Sequence, residues 1–302
     1  MTRPKHVQLC EVGPRDGFQF EDKPIPTDLK VRTIDRLMDA GLTRIQMTSF
    51  VHPRWVPQMA DAEEVAKRVD RRDGVVLSAL CLNRRGVERA ADAGINVVDL
   101  SIATNEQHAR DNTNMTIDDA LQQAELMLDL VASKGMQAQL GLQTVFGYSR
   151  PGDTDLGFIV DVVKRFRDDG LESLSLADST GMANPIMIRN RLRAVQDAAG
   201  NIPIVLHLHD TRGLGLVNVW AALDEGIDRF DTSLGGLGGC PFIPGATGNI
   251  ATEDTAWLLD SVGIKTGIDI AAVSEATFEV EQFLRKDAPG RIAGLRRARS
   301  TS

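Results

Sequence analysis

Cysteine is scarce in this chain: its 302 residues hold three, Cys10, Cys81 and Cys240. An odd number at wide spacing, with no Cys-x-x-Cys, argues against a disulfide framework and against a structural zinc site, and it fits a reducing cytosol. Long hydrophobic runs are missing too. No stretch of about 18 apolar residues occurs, so no membrane span is expected, and Met1 to Cys10 has no apolar core of the secretory-leader kind. Basic charge is in deficit: 34 Lys+Arg against 42 Asp+Glu leave a formal charge of -8. That balance opposes a nucleic-acid partner, because phosphate binding needs a basic patch. No G-x-G-x-x-G follows the first apolar run, which weakens a dinucleotide site, and no phosphate loop of the P-loop type occurs.

What is present is alternation. Short β-rich runs are expected as strands near Val7–Val12, Arg44–Thr48, Val75–Leu80, Val97–Ile102, Ala138–Thr144, Ser173–Ala177, Ile204–His209 and Arg229–Ser233. Between them, Asp28–Ala40, Ile117–Ser133 and Leu156–Asp169 repeat apolar residues at three and four, the spacing of amphipathic helices. Glycines such as Gly41, Gly94, Gly135, Gly170 and Gly226 stand where helices end and strands begin. Eight βα units point to a single α/β domain, a (β/α)8 TIM barrel over about residues 7–265, although a doubly wound open sheet has a similar local pattern. A C-terminal helical extension is expected over about 266–290, with a frayed basic tail at 291–302. Polar insertions at Asn105–Thr116 and Gly147–Thr154 follow strands four and five, on the side where barrel enzymes build their sites.

The reactive side chains gather at that same mouth. His207 and His209 close the seventh strand at i and i+2, so both imidazoles share one face and can grip one metal ion. Two of only five histidines are used there. Arg15 and Asp16 follow strand one, Gln46 and Thr48 lie on strand two, and Asp178 closes strand six. A carboxylate, two imidazoles and an amide oxygen make a mixed donor set that suits Mg²⁺ or Mn²⁺ better than structural zinc. A lone histidine at a strand end is more often a satisfied core or surface group, and Asp16 alone could be a turn cap. Together with the Arg-Asp turn, the pair favours a metal. Cys240 sits among four glycines, a setting unsuited to fixed packing and open to a functional thiol. Cys10 and Cys81, inside strands, are expected in the core.

These motifs resemble the 3-hydroxy-3-methylglutaryl-CoA lyases, a metal-dependent barrel family related to the isopropylmalate and homocitrate synthases. The resemblance rests on Glu11-Val-Gly-Pro-Arg-Asp-Gly17, Thr48-Ser-Phe-Val51 with Pro53 and Trp55-Val-Pro-Gln58, His207-Leu-His-Asp-Thr211, and Gly235-Gly-Leu-Gly-Gly-Cys-Pro241. Gly248-Asn249 and Thr252-Glu-Asp254 complete it. The Gly-rich cysteine loop is what the synthases lack. The resemblance implies that Asp16, His207, His209 and Asn249 bind a divalent metal and that Arg15 stabilises an enolate, with Cys240 on a loop that closes over substrate. His207 and Asp178 are expected to share in catalysis, and Gln19, Gln46, Thr48, Gly141 and Glu253 to meet the substrate.

Three departures stand out. The lyases carry Glu on strand two within Ile-Glu-Thr-Thr-Ser-Phe, where this chain reads Ile45-Gln46-Met47-Thr48-Ser49-Phe50. On strand five they show an Arg-Gly-Tyr run, where this chain reads Gln139-Leu140-Gly141, and Phe18 and Phe20 replace smaller residues after the Arg-Asp turn. A reshaped pocket follows. The expected activity is cleavage of 3-hydroxy-3-methylglutaryl-CoA to acetyl-CoA and acetoacetate by a cytoplasmic enzyme. The alternatives are the same reaction on another branched 3-hydroxyacyl-CoA, or a metal- and acyl-CoA-binding protein without turnover. The partner is an acyl-CoA, with neither nucleic acid nor membrane, and a homodimer is expected through the apolar C-terminal helix.

Overall fold

The computed structural model describes residues 3–239 and 248–300. Eight parallel strands stand in sequence order: β1 (Gln8–Glu11), β2 (Arg44–Ser49), β3 (Val76–Cys81), β4 (Val97–Ala103), β5 (Gln137–Gln143), β6 (Ser173–Asp178), β7 (Ile204–Leu208) and β8 (Arg229–Thr232). Every end lies within one residue of the expectation. Closure decides between the barrel and the open sheet: β8 pairs back onto β1, with Gln8 opposite Arg229 and Glu11 opposite Thr232. Parallel neighbours need crossovers, and the amphipathic helices supply them on the outside. Gly94, at φ 76°, ends the helix Arg84–Asp92 in the left-handed conformation its position implies.

The apolar core is the layer between strands and helices. Leu9, Ile45, Leu100, Leu140, Leu174 and Leu206 are buried there, facing residues such as Ile34 and Leu37 of the helix Thr27–Asp39. Cys10 and Cys81 are also buried. The inside of the barrel is different. Such interiors usually hold layers of branched aliphatics, but here Arg44, Gln46, Ser78, Asp99, Gln139 and Ser173 are all buried. Several are paired with one another or with a neighbouring acid. Arg44 Nη1 reaches Glu172 at 3.0 Å, Ser78 Oγ donates to Asp99 at 2.6 Å, and Ser173 Oγ donates to Gln139 at 2.9 Å.

Outside the barrel, the insertion after β4 and the C-terminal tail both carry helices, and for the tail this corrects the expectation. The insertion after β4 folds as a helix, Glu106–Thr113, with Asn105 capping it by accepting the N–H groups of Gln107 and His108. The basic tail is not frayed: it forms a helix, Arg291–Ser300. Asp254 accepts the N–H of Arg291 and of Ile292, each at 2.8 Å, and Arg296 pairs with Glu275 and Arg297 with Glu281. Each of those acids lies elsewhere in the chain, so local composition gave no sign of them. The extension itself, Ile270–Leu284, buries Val273, Ala276 and Val280 within the chain. Among the described residues no helix is long and apolar enough to cross a membrane.

Candidate metal centre and active site

The peptide after β1 makes one π-helical turn, Gly13–Gly17, with the Arg15 and Asp16 N–H groups bonded to Val12 O. This turn lifts Arg15 and Asp16 over the barrel mouth. At β7 the strand delivers His207 and His209 side by side, their Nε2 atoms 3.1 Å apart. Asp16 Oδ2 lies 4.0 Å from His207 Nε2, and one donor atom from each of the three residues lies within 4.8 Å of the others. Asn249 joins through the backbone. It bridges His209, Ile250 N–H donates to Leu208 O at 3.0 Å, and Asp210 N–H donates to Gly248 O at 2.9 Å.

This donor set fits a divalent cation. The Asn249 amide donates from Nδ2 to Asp16 Oδ2 at 2.7 Å and to Leu237 O at 3.1 Å, while its buried Oδ1 has no hydrogen-bond partner. Two imidazole nitrogens facing at 3.1 Å and a carboxylate oxygen beside them are hard and borderline ligands gathered at one point, and the unmatched Asn249 oxygen is a further hard donor on the residue bonded to Asp16. Burial lowers the proton affinity of His207, but the hydrogen bond and charge of Asp231, with the charge of Asp16, outweigh it and the net direction is up. Asp231 Oδ2 lies 3.2 Å from His207 Nδ1 and so orients the ring with Nε2 toward the centre. Burial and the adjacent His207 push His209 down to about 3, leaving a neutral imidazole. Burial alone would raise Asp16, yet Arg15, His207 and His209 hold it below the usual carboxylate range.

Arg15 is braced on both sides, its Nη1 donating to Asp16 Oδ1 at 2.6 Å and its Nε to Gln46 Oε1. Gln19 Nε2 donates to the same Asp16 oxygen at 2.9 Å. Other expected site residues have partners of their own. Asp178, pushed up to about 6 by burial, accepts the N–H of Met182 at 2.8 Å and of Ala183 at 3.1 Å, so both its oxygens hold the turn after β6. Glu253, also pushed up to about 6 by burial, accepts Gly235 N–H at 2.8 Å and Thr277 Oγ1 at 2.5 Å, at the start of the Gly-rich loop. Thr48 is buried with its hydroxyl toward Met59 Sδ at 3.8 Å. Gly141 is half-buried, paired with Ser101 and Ser175. Cys240 lies outside the described residues.

Two residues without an expected role matter here. Asp231 follows Arg229 by two on β8, so strand alternation could have placed it on the inner face. Glu11 gave no such signal. Its Oε1 accepts Gly13 N–H and Leu234 N–H, both at 2.8 Å, and its Oε2 accepts Thr252 Oγ1 at 2.6 Å. One carboxylate thus ties the Arg15–Asp16 turn to the start of the Gly-rich loop.

That loop starts from a glycine with no spare room. Gly235 has φ 60°, and a Cβ there would lie 2.6 Å from both Ala288 Cβ and Thr277 Cγ2. Gly235→Ala is expected to destabilise the protein by about 2–4 kcal/mol, from left-handed strain plus overpacking. Urea unfolding measures it, and an unchanged midpoint would remove the steric account.

The surroundings of this site match known proteins along nearly the whole chain. A family model described as HMGL-like matches residues 6–280. A hydroxymethylglutaryl-CoA lyase of Bacillus subtilis (strain 168) is 38% identical over 291 residues, covering 96% of this chain and 97% of that one. A 3-hydroxy-3-isohexenylglutaryl-CoA/hydroxy-methylglutaryl-CoA lyase of Pseudomonas aeruginosa is 38% identical over 293 residues, covering 97% and 98%. The crystal structure of hydroxymethylglutaryl-CoA lyase from Pseudomonas aeruginosa superposes with a TM-score of 0.95 at 37% identity, covering 99% of this chain and 100% of that one.

Proposed function

The chain belongs to the HMGL-like family, and from that premise we propose that it cleaves 3-hydroxy-3-methylglutaryl-CoA to acetyl-CoA and acetoacetate. The observation that carries this reading is the convergence of Asp16, His207, His209 and Asn249 beside the braced Arg15 guanidinium. In the reaction the C2–C3 bond breaks, its electron pair goes to the thioester as an enolate, and C3 becomes the ketone of acetoacetate. The hydroxyl on C3 gives up its proton, and C2 takes one up. A divalent cation, Mg²⁺ or Mn²⁺, would supply acidification of that hydroxyl. Arg15 offsets the charge that develops on the thioester oxygen, a role for a fixed cation in a water-poor mouth. Gln46 and Asp16 hold its plane, so little reorganisation remains when the charge forms. Cys240 takes the part that the resemblance gives it, on a loop closing over bound substrate. A cytosolic location belongs to the same proposal, supported by the few, scattered cysteines.

A second reading keeps the chemistry and changes the branch at C3. It is favoured by Gly141, where the wall between Ser101 on β4 and Ser175 on β6 has no side chain. A panel of 3-hydroxyacyl-CoA thioesters differing only in the C3 substituent, assayed with Mg²⁺ and with Mn²⁺, tests both. The highest kcat/KM is expected for the methyl compound. A preference of more than about tenfold for a larger branch, about 1.4 kcal/mol, would select the second reading, and no cleavage of any member would reject both.

A further inference from the structure

We infer that Gln46 is a positioning residue for Arg15, acting as a polarity-matched link between that guanidinium and a buried carboxylate, Asp99. The inference deepens the proposed function and rests on its assignment of Arg15. The Gln46 side chain is buried and both ends are engaged. Its Oε1 accepts the Nε–H of Arg15, and its Nε2 donates to Asp99 Oδ2 at 2.6 Å. The reverse orientation would set the amide NH₂ against a guanidinium N–H and the amide oxygen against a carboxylate oxygen. The partners therefore dictate which way the amide points.

Asp99 is itself anchored. Ser78 on β3 donates to the same oxygen at 2.6 Å, and Arg44 Nη2 lies 3.7 Å from the other. Arg44 continues to Glu172. Arg15, on a turn at the mouth, is thus connected by short bonds to a charged network in the barrel wall. The chain departs here from the glutamate of the lyases it resembles. With Asp99 at 2.6 Å, a carboxyl in place of the amide would put two acidic oxygens in contact, and the pair could stay together only by sharing a proton. An amide needs no proton of its own to keep the link intact.

Charge and polarity, not volume, distinguish this from a packing role, so three variants test it. Gln46→Leu is expected to lower kcat about tenfold or more with KM little changed, since Arg15 meets developing charge. Gln46→Glu is expected to lose activity relative to wild type as pH rises through neutrality. The groups facing position 46 and its partner are Arg15 from the turn, Arg44 from β2, Ser78 from β3, Asp231, whose charge acts on Asp99, and Cys10, a thiol that burial keeps neutral. None of them supplies the missing proton at high pH. Combining Gln46→Glu with Asp99→Asn restores one carboxylate and one amide in reversed order, and the pH profile should again parallel wild type.

A readout without substrate separates this inference from the reading it rests on. In arginine-labelled protein the Nε–H resonance of Arg15, identified by its loss in Arg15→Lys, should shift in Gln46→Leu and return toward the wild-type position in the double variant. If wild type cleaves no thioester, the proposed function fails while that resonance still decides the link. Stable Gln46→Leu with unchanged kcat or an unmoved Arg15 resonance, or Gln46→Glu with the wild-type pH profile, would overturn the inference.

Discussion

Arg15→Ala is expected to lower kcat/KM by at least about a hundredfold, equivalent to about 3 kcal/mol of lost transition-state stabilisation. The effect comes from preorganisation. Arg15 donates to Asp16 and to Gln46 before any substrate arrives, so it is already aimed and partly desolvated, the condition under which a cation opposite a developing oxyanion contributes most. The loss should fall mainly on kcat, because charge on the thioester oxygen grows between ground state and transition state. Arg15→Lys keeps the charge but cannot hold two partners in one plane, and should lie between wild type and alanine. Steady-state kinetics on the preferred thioester checks both variants. Near-normal turnover in Arg15→Ala would reject the role.

His207→Ala should cost more, on the order of a thousandfold in kcat, with Mn²⁺ affinity measured by calorimetry falling at least about a hundredfold. Removing this ring deletes a donor atom and also leaves Asp231 Oδ2 without the nitrogen it faces at 3.2 Å, so the cluster loses both a ligand and its orientation. Exhaustive chelation of the wild type should abolish turnover, and added Mg²⁺ or Mn²⁺ should restore it. Asp231→Asn, which keeps the shape of the partner and removes its charge, should weaken metal affinity by about ten- to a hundredfold. Full activity and unchanged Mn²⁺ binding in His207→Ala would move the metal centre elsewhere.

Much of this site was legible because its signals are local. Histidines two apart on a strand must share a face, and Arg15–Asp16 directly after β1 must lie at the mouth. Other residues have partners that local signals do not reveal. The Asp178 carboxylate is occupied by the N–H groups of Met182 and Ala183, and that of Glu253 by Gly235 and Thr277. Glu253 meets Thr277 only because the helix Ile270–Leu284 packs beneath the Gly-rich loop, and Asp254 turns the basic tail into a helix by the same long-range route. Composition cannot register a partner tens of residues away.

By itself the sequence determined the eight βα units, the placement of Asp16, His207 and His209 at one end of them, and the acidic balance of charge, since periodicity, alternation and net charge are properties of neighbouring residues or of their sum. Only the tertiary structure decided that β8 closes onto β1, that Asn249 keeps a buried oxygen unmatched beside the histidines, and that Gln46 stands between Arg15 and Asp99. Those facts depend on which distant side chains share one desolvated space, where an amide, a carboxylate and a guanidinium must match donor to acceptor or be left unpaired.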